Sequence, residues 1–350
     1  MQLVKPLRGS DPLNIGPFSI DGLIGEGGFG VVYLGRTKYG SPVAIKVMSS
    51  KLRDDKDYQE HLARFHREVN FLKLFSHPFV PKLVKSGWYG RLPYLATEYI
   101  PGPTLHDLVA VYGPLPVDAV WGLAAGLADI LHNLHRVGVH RDVKPGNVLM
   151  TLAGPHLIDF GLAHVHDAIP ITQVGTFVGT RGYMDPAGGA PADIFGLGGT
   201  AFFAATGYSP HQAAPSGSSP DLPDDSIDLS GAPGELRDLL ESCLHDNRLQ
   251  RPRAAMVINQ VRPRLPALSF AASLPTTVAQ ALGFAEAPYV VTAGRAFIPN
   301  HPFARRRFVS SVTTLWHCQL ADRVQAVLTD SPGTVRLIHK PPENSGFSRA

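Results

Sequence analysis

The sequence predicts an α+β chain of two lobes, a small β-rich lobe carrying one helix and a larger helical lobe, followed by a C-terminal extension. Three observations predict it. Residues 18–47 carry β-branched clusters, among them Val31-Val32-Tyr33-Leu34 and Val43-Ala44-Ile45-Lys46-Val47, separated by Gly-rich or polar turns such as Lys38-Tyr39-Gly40-Ser41, which is the pattern of a small antiparallel sheet. Residues 54–75 place Leu62, Phe65, Val69, Leu72 and Phe75 at spacings of three and four, the period of an amphipathic helix. Beyond Pro101-Gly102-Pro103 the pattern turns to helices. These boundaries divide the chain into a lead at 1–13, a first lobe at 14–100, a second at 101–265 and an extension at 266–350.

The remaining elements follow in order. His77-Pro78 and Pro81 end the helix, because proline lacks the amide a helix needs. Apolar runs at 82–87 and 92–100 complete the first lobe. Helical spacing recurs at 117–137, 194–206 and 235–245, with a hairpin expected at 148–158 and a long surface connection at 208–233, rich in Pro, Ser, Asp and Gly. The extension carries eight Lys/Arg against four Asp/Glu, including Arg305-Arg306-Arg307. It is expected to pack on the lower lobe, with a strand at 289–291 and helical spacing at 315–328.

Composition narrows the class. A hydrophobic fraction of 44% over 350 residues suits a globular protein, and 35 glycines with 31 prolines fall short of wholesale disorder. The 32 basic residues nearly balance the 29 acidic ones, which does not suggest a nucleic-acid binder. Two cysteines, Cys243 and Cys318, make neither a disulfide scaffold nor a closely spaced zinc site, so a reducing cytoplasm is expected. The first 18 residues hold no signal-peptide-like run, and the apolar stretch at 194–205 is too short to cross a membrane.

Several motifs carry chemistry. Gly25-Glu26-Gly27-Gly28-Phe29-Gly30 fits G-x-G-x-x-G and runs into strand-like Val31-Val32, which favours a flap over phosphates rather than the start of a helix. Backbone amides reach phosphate oxygens most readily where no Cβ intervenes. Lys46 ends an apolar strand and requires an anionic partner, for which Glu68, on the inward face of the amphipathic helix, is the candidate. Then come His140-Arg141-Asp142-Val143-Lys144-Pro145-Gly146-Asn147 and Asp159-Phe160-Gly161.

With these motifs in this order, residues 14–265 resemble the eukaryotic-like, bacterial-type serine/threonine protein kinases. The resemblance implies the two-lobed protein-kinase fold, ATP and Mg²⁺ as cofactors, and protein substrates bearing Ser or Thr acceptors. It makes Asp142 the group that takes the acceptor hydroxyl's proton, Lys144 a neutraliser of the γ-phosphate, Lys46 with Glu68 the phosphate-binding pair, and Asn147 and Asp159 the Mg²⁺ ligands. It places adenine at Thr97, Glu98 and Ile100 between apolar walls of Val32, Ala44 and Leu149, with the donor from Ile100 because Pro101 has no N–H. His140 is then a packed residue beside Phe160. His132 with His135, and His61 with His66, are expected on packing or surface duty rather than as metal ligands.

Thr172 and Thr176 lie in the expected activation segment at 161–186, and Arg141 is placed to neutralise a phosphate there, so autophosphorylation and self-association are expected. Thr180 matches the threonine that contacts the catalytic aspartate. Two departures concern the peptide-docking region. Asp185-Pro186-Ala187 stands where the family has A-P-E, removing the glutamate that pairs with a buried arginine, here Arg251, and the segment before Asp193 is short by about half a dozen residues. Asp193 still fits the residue that ties the catalytic loop to the central helix. The alternatives are a nucleotide-binding pseudokinase or scaffold, and a kinase-fold enzyme acting on one dedicated partner or a small molecule.

Overall fold

The computed structural model describes residues 4–54, 56–165, 188–211, 227–265 and 270–285, together with four short strands beyond them. A six-stranded antiparallel sheet opens the chain. Its strands are β1 (Asn14–Ile15), β2 (Phe18–Gly27), β3 (Gly30–Arg36), β4 (Pro42–Met48), β5 (Leu83–Tyr89) and β6 (Leu92–Glu98), in the spatial order β1-β2-β3-β4-β6-β5. Alternation decides its faces: Val43, Ile45 and Val47 of β4 are buried with Ile15, Phe18, Ile20 and Tyr94, while Ala44 and Lys46 point to the other side. Between β4 and β5 runs helix α1 (Tyr58–Leu74), whose stripe of Phe65, Val69 and Leu72 is buried as its spacing requires.

The second lobe begins with α2 (Leu105–Tyr112), whose cap is local: the Thr104 hydroxyl accepts the Asp107 N–H at 3.0 Å. Helix α3 (Val117–Leu134) forms the centre of the lobe and contributes ten buried residues. Strand β7 (Gly138–Val139) pairs with β10 (His164–Val165), and β8 (Val148–Thr151) with β9 (Gly154–Leu157) forms the expected hairpin. Helix α4 (Ala190–Thr206) is nearly all buried, and α5 (Arg237–Cys243) and α6 (Ala254–Val261) close the lobe. α4 starts four residues before the run at 194–206, because Gly189 turns the chain at φ 77° and Pro191 suits a first helical turn. Helices α2 and α6 are additions to the sequence reading.

Two junctions position the site. One is covalent: Gly102 passes so close to β8 that a Cβ there would stand 2.2 Å from the Met150 carbonyl, and the Met150 N–H donates to Pro103 at 2.9 Å. The other is a shared core. Phe65, Val69, Phe71, Leu72 and Phe75 of the α1 region belong to one buried cluster with α3, α4 and α6. Thus α1, although it lies among the strands in sequence, joins the two lobes.

After residue 265, α7 (Phe270–Ser273) and α8 (Thr276–Ala285) pack on the second lobe. The Phe270 ring lies over Gly122 of α3, and Leu274, Val278 and Leu282 are buried in the main core. Strand β11 (Val290–Thr292) pairs with β12 (Arg295–Phe297), in line with the strand expected at 289–291. The helix expected at 315–328 is corrected in its last part. Val324–Leu328 is strand β13, antiparallel to β14 (Arg336–His339). Short apolar runs of Val, Ala and Leu satisfy both periods, and cross-strand pairing decides here. The rest of that span, and Arg305 to Arg307, lie outside the described residues.

Candidate active site

The glycine motif forms the β2–β3 hairpin. Gly27 faces Gly30 across the ladder, leaving Gly28 and Phe29 at the tip. Gly30 is glycine because of the protein itself: at φ 155° a Cβ would stand 2.0 Å from the Val47 carbonyl. Gly25, Gly27 and Gly28 are different, since a Cβ on any of them would meet no atom within 4 Å. Their bareness leaves room for a ligand.

Beneath the hairpin lies a cavity of about 240 Å³. Its apolar walls include Ile24, Val32, Ala44, Leu95 and Leu149, and Thr97, Glu98, Tyr99 and Ile100 run along one edge. Lys46, Glu68 and Asp159 line it as well, and Gly25 contributes from the hairpin. Glu26, Gly27, Gly28, Phe29 and Gly30 are not among its lining residues. Phe29 instead rests on α1, its ring centroid 5.7 Å from that of His61 and 5.6 Å from the Arg64 guanidinium carbon. The Glu98 N–H donates to the Lys82 carbonyl at 2.9 Å, which leaves it no hydrogen for a ligand.

Lys46 is held between two carboxylates. Its Nζ donates to Glu68 Oε2 at 2.8 Å and to Asp159 Oδ1 at 2.9 Å. Burial opposes its charge, but Glu68 and then Asp159 overcome that effect and hold the ammonium above its ordinary range. Burial raises the Glu68 carboxyl against the pull of Lys46. For Asp159 burial also works upward, yet the charge and hydrogen bond of Lys46 prevail and hold the carboxyl below its usual value. Asp159 keeps 43% of its side-chain surface exposed, so an oxygen remains accessible to a cation.

Phe160 explains why Asp159 faces this way. It is 1% exposed and stacks on Phe71 at 5.0 Å, with His140 edge-on at 4.6 Å. Asp159 itself sits at φ 63°, left-handed for a residue with a side chain, and burial of the neighbouring ring holds that turn.

Asp142 lies in the loop between β7 and β8. Its Oδ2 accepts from Lys144 Nζ at 2.8 Å and from Asn147 Nδ2 at 2.8 Å, and the same Asn147 amide reaches the Asp142 carbonyl at 2.8 Å. His140 is committed to the backbone: Nδ1 accepts the Asp142 N–H at 3.2 Å, so Nε2 carries the hydrogen donated to the Ile158 carbonyl at 3.2 Å. Burial pushes its pKa down despite Asp193, Asp142 and Asp159 nearby. A neutral, fully engaged imidazole fits the packing duty expected of it.

Asp193 of α4 is 0% exposed and carries the loop. Its Oδ1 accepts the Arg141 N–H at 2.6 Å, and its Oδ2 accepts the His140 N–H at 2.9 Å and faces His135 Nε2 at 3.0 Å. Arg141 sits at φ 68°, so this carboxylate secures a strained turn beside Asp142. His135, at the end of α3, serves as a partner of that carboxylate, which its spacing from His132 did not reveal.

Arg251 has these partners among the described residues. Its Nε donates to the His245 carbonyl at 2.8 Å, its Nη1 to the Pro191 carbonyl at 3.2 Å, and its guanidinium lies 4.7 Å over the Phe195 ring. Asp185, Ala187, Thr172, Thr176 and Thr180 lie outside the described residues.

Residues 18–261 match the protein kinase domain, and the chain belongs to the protein-kinase family. Its relatives are bacterial serine/threonine kinases. The serine/threonine-protein kinase AfsK of Streptomyces coelicolor is 39% identical over 272 residues, covering 75% of this chain and 34% of that protein. AfsK of Streptomyces griseus is 41% identical over 251 residues, covering 69% and 31%. The probable serine/threonine-protein kinase PkwA of Thermomonospora curvata is 36% identical over 274 residues, covering 74% and 36%. The chain is thus a member of the protein-kinase family similar to bacterial serine/threonine-protein kinases, and it spans about a third of the length of these curated relatives. Among the described residues no helix is long and apolar enough to cross a membrane.

Proposed function

We propose that this domain transfers the γ-phosphate of ATP to serine or threonine hydroxyls of protein substrates. The observation that carries the reading is the arrangement of Lys46 between Glu68 and Asp159, at 2.8 and 2.9 Å, in a cavity whose facing walls Ile24, Val32, Ala44, Leu95 and Leu149 are apolar. An apolar slot suits a purine, with Ile100 the donor ahead of Pro101, and a paired lysine suits phosphate oxygens. The open space at Gly25, Gly27 and Gly28 fits phosphates beneath the hairpin.

Asn147 and Asp159 offer the hard oxygen atoms Mg²⁺ prefers, and the metal, when bound, neutralises charge on the phosphates. Asp142 is the base. Lys144 and Asn147, each 2.8 Å from its Oδ2, orient that carboxylate toward an incoming hydroxyl, and its Lys144 partner neutralises the phosphoryl oxygens.

Autophosphorylation of Thr172 or Thr176 belongs to the same reading. Burial, then the charge of Arg64, lower the pKa of Arg67 against the pull of Glu60, with Arg141 adding to the lowering, and the Arg141 guanidinium lies beside Gly188, where its charge would welcome a phosphate. The test is incubation of the full chain with γ-labelled ATP and Mg²⁺ beside the Asp142→Ala variant, followed by phosphoamino-acid analysis and site mapping. Label on serine or threonine, lost in the variant, is expected. Bound nucleotide with no label in the wild type would refute transfer and favour a pseudokinase. Label that persists in Thr172→Ala and Thr176→Ala, with unchanged rate, would refute the autophosphorylation sites.

A further inference from the structure

The lead at residues 4–11 is not a free tail. Lys5 and Leu23 exchange backbone hydrogen bonds, each N–H donating to the other's carbonyl at 2.8 Å, so the lead runs beside β2. Val4, 5% exposed, is buried with Leu34 against Ile24 and Tyr99, and those last two residues line the cavity. Leu7 packs on the sheet's inner cluster.

The polar end of the lead reaches the glycine hairpin. Arg8 Nη1 donates to Glu26 Oε2 at 2.9 Å, while its Nε and Nη2 grip the two oxygens of Asp11 at 3.1 Å each. The Asp11 carboxyl, 4% exposed, also accepts the Arg8 N–H at 2.7 Å and the Tyr33 hydroxyl at 3.0 Å. Tyr33 lies on β3 opposite Leu23. The lead therefore grips both strands of the hairpin. Burial opposes the charge on Asp11, yet the Arg8 and Tyr33 hydrogen bonds hold it ionised below the usual carboxylate range. Burial and the hydrogen bond to Asp11 push Tyr33 up to about 12.

We propose that residues 4–11 form a strap that holds the glycine hairpin and the Ile24 side of the cavity in the nucleotide-ready position, with Arg8 as its positioning residue. The proposal rests on the reading of this cavity as the ATP site. A hairpin already held in place loses less freedom when phosphates bind, so the strap acts on nucleotide affinity and not on the phosphoryl-transfer step.

The experiment measures ATP KM and kcat for the full chain and for Arg8→Ala, Glu26→Ala and the double variant, with hydrogen exchange of residues 25–30 in nucleotide-free protein. Arg8 and Glu26 are each half exposed, so loss of a bridge of this kind predicts a KM rise of about two- to fivefold, and for Arg8→Ala, outside the flap, this comes at unchanged kcat. The double variant is expected to be no worse than the worse single one, because both remove one contact. Faster exchange in the hairpin accompanies it. A role in stability alone would lower the melting temperature and leave KM and hairpin exchange in place. An unchanged or lowered KM, or additive effects, would overturn the strap. Val4→Ala, which shortens the contact with Ile24 and Tyr99, is a second probe with the same expected direction. If the wild type itself shows no saturable ATP binding, the nucleotide reading fails and the strap fails with it; saturation without a shift fails the strap alone.

Discussion

Replacing Asp193 by asparagine isolates the element that holds the loop of His140, Arg141 and Asp142. The carboxylate is 0% exposed and faces His140 N–H, Arg141 N–H and His135 Nε2 at 2.9, 2.6 and 3.0 Å. An asparagine offers one carbonyl oxygen, so an amide hydrogen must confront at least one of these N–H groups. Hydrogen bonds to a charged acceptor contribute about 1.5–3 kcal/mol, and a buried donor left without a partner costs about 1–3 kcal/mol. The loss expected is about 3 kcal/mol, or roughly a hundredfold in the folding equilibrium. Arg141 would then relax from its left-handed turn and shift Asp142, the next residue. A displacement of that kind costs turnover on the order of a hundredfold. Urea titration with unchanged m-value measures the first effect and steady-state kinetics the second. If Asp193→Asn unfolds within about 0.5 kcal/mol of the wild type, a shift typical of inconsequential surface changes, and turns over normally, the reasoning is wrong.

Three further outcomes follow from the geometry. Gly30→Ala should destabilise the hairpin by more than about 1 kcal/mol, because its Cβ would collide with the Val47 carbonyl at a positive φ; thermal denaturation checks it, and an unchanged midpoint contradicts it. Cys243 is fully buried and its thiol is pushed up to about 12 by that burial. A raised thiol pKa gives stability present below the unfolded value near 9 and lost as pH climbs toward 12, so in a Cys318→Ser background Cys243 should label only as fast as the protein unfolds, and unfolding should ease above pH 9. A chain ending at residue 265 should melt well below one ending at 287, since it lacks Leu274, Val278 and Leu282, each such side chain contributing roughly 1.5–3 kcal/mol when buried; equal melting temperatures would show that α7 and α8 contribute nothing.

The parts of this molecule that were readable from sequence are those whose cause is local. The glycine turn, the strand carrying Lys46, the α1 stripe and the β8–β9 hairpin each carry their pattern within a few residues, and all form near where expected, although that strand runs on past Lys46 to Met48. Helix α2 carried a signal too, Thr104 with Asp107 three residues on, at the spacing of a cap. What remained hidden depends on distance in the chain. His135 meets Asp193 58 residues away, Arg8 meets Glu26 across 18, and Phe71 finds Phe160 only when α1 crosses to the other lobe. The start of α4 and the strand at Val324–Leu328 show the same lesson, since a cap glycine and a pairing partner overrode the apolar period.

The most direct test of the central claim separates binding from transfer in Asp142→Asn. Asp142 contacts Lys144 and Asn147 but does not line the cavity. The variant should bind ATP·Mg²⁺ within about threefold of wild-type affinity while its phosphoryl transfer falls by 10²–10⁴, the scale of a lost general base. Transfer within tenfold of the wild type, or nucleotide affinity lost in parallel with turnover, would contradict the assignment of Asp142 as the base beside an independent nucleotide site.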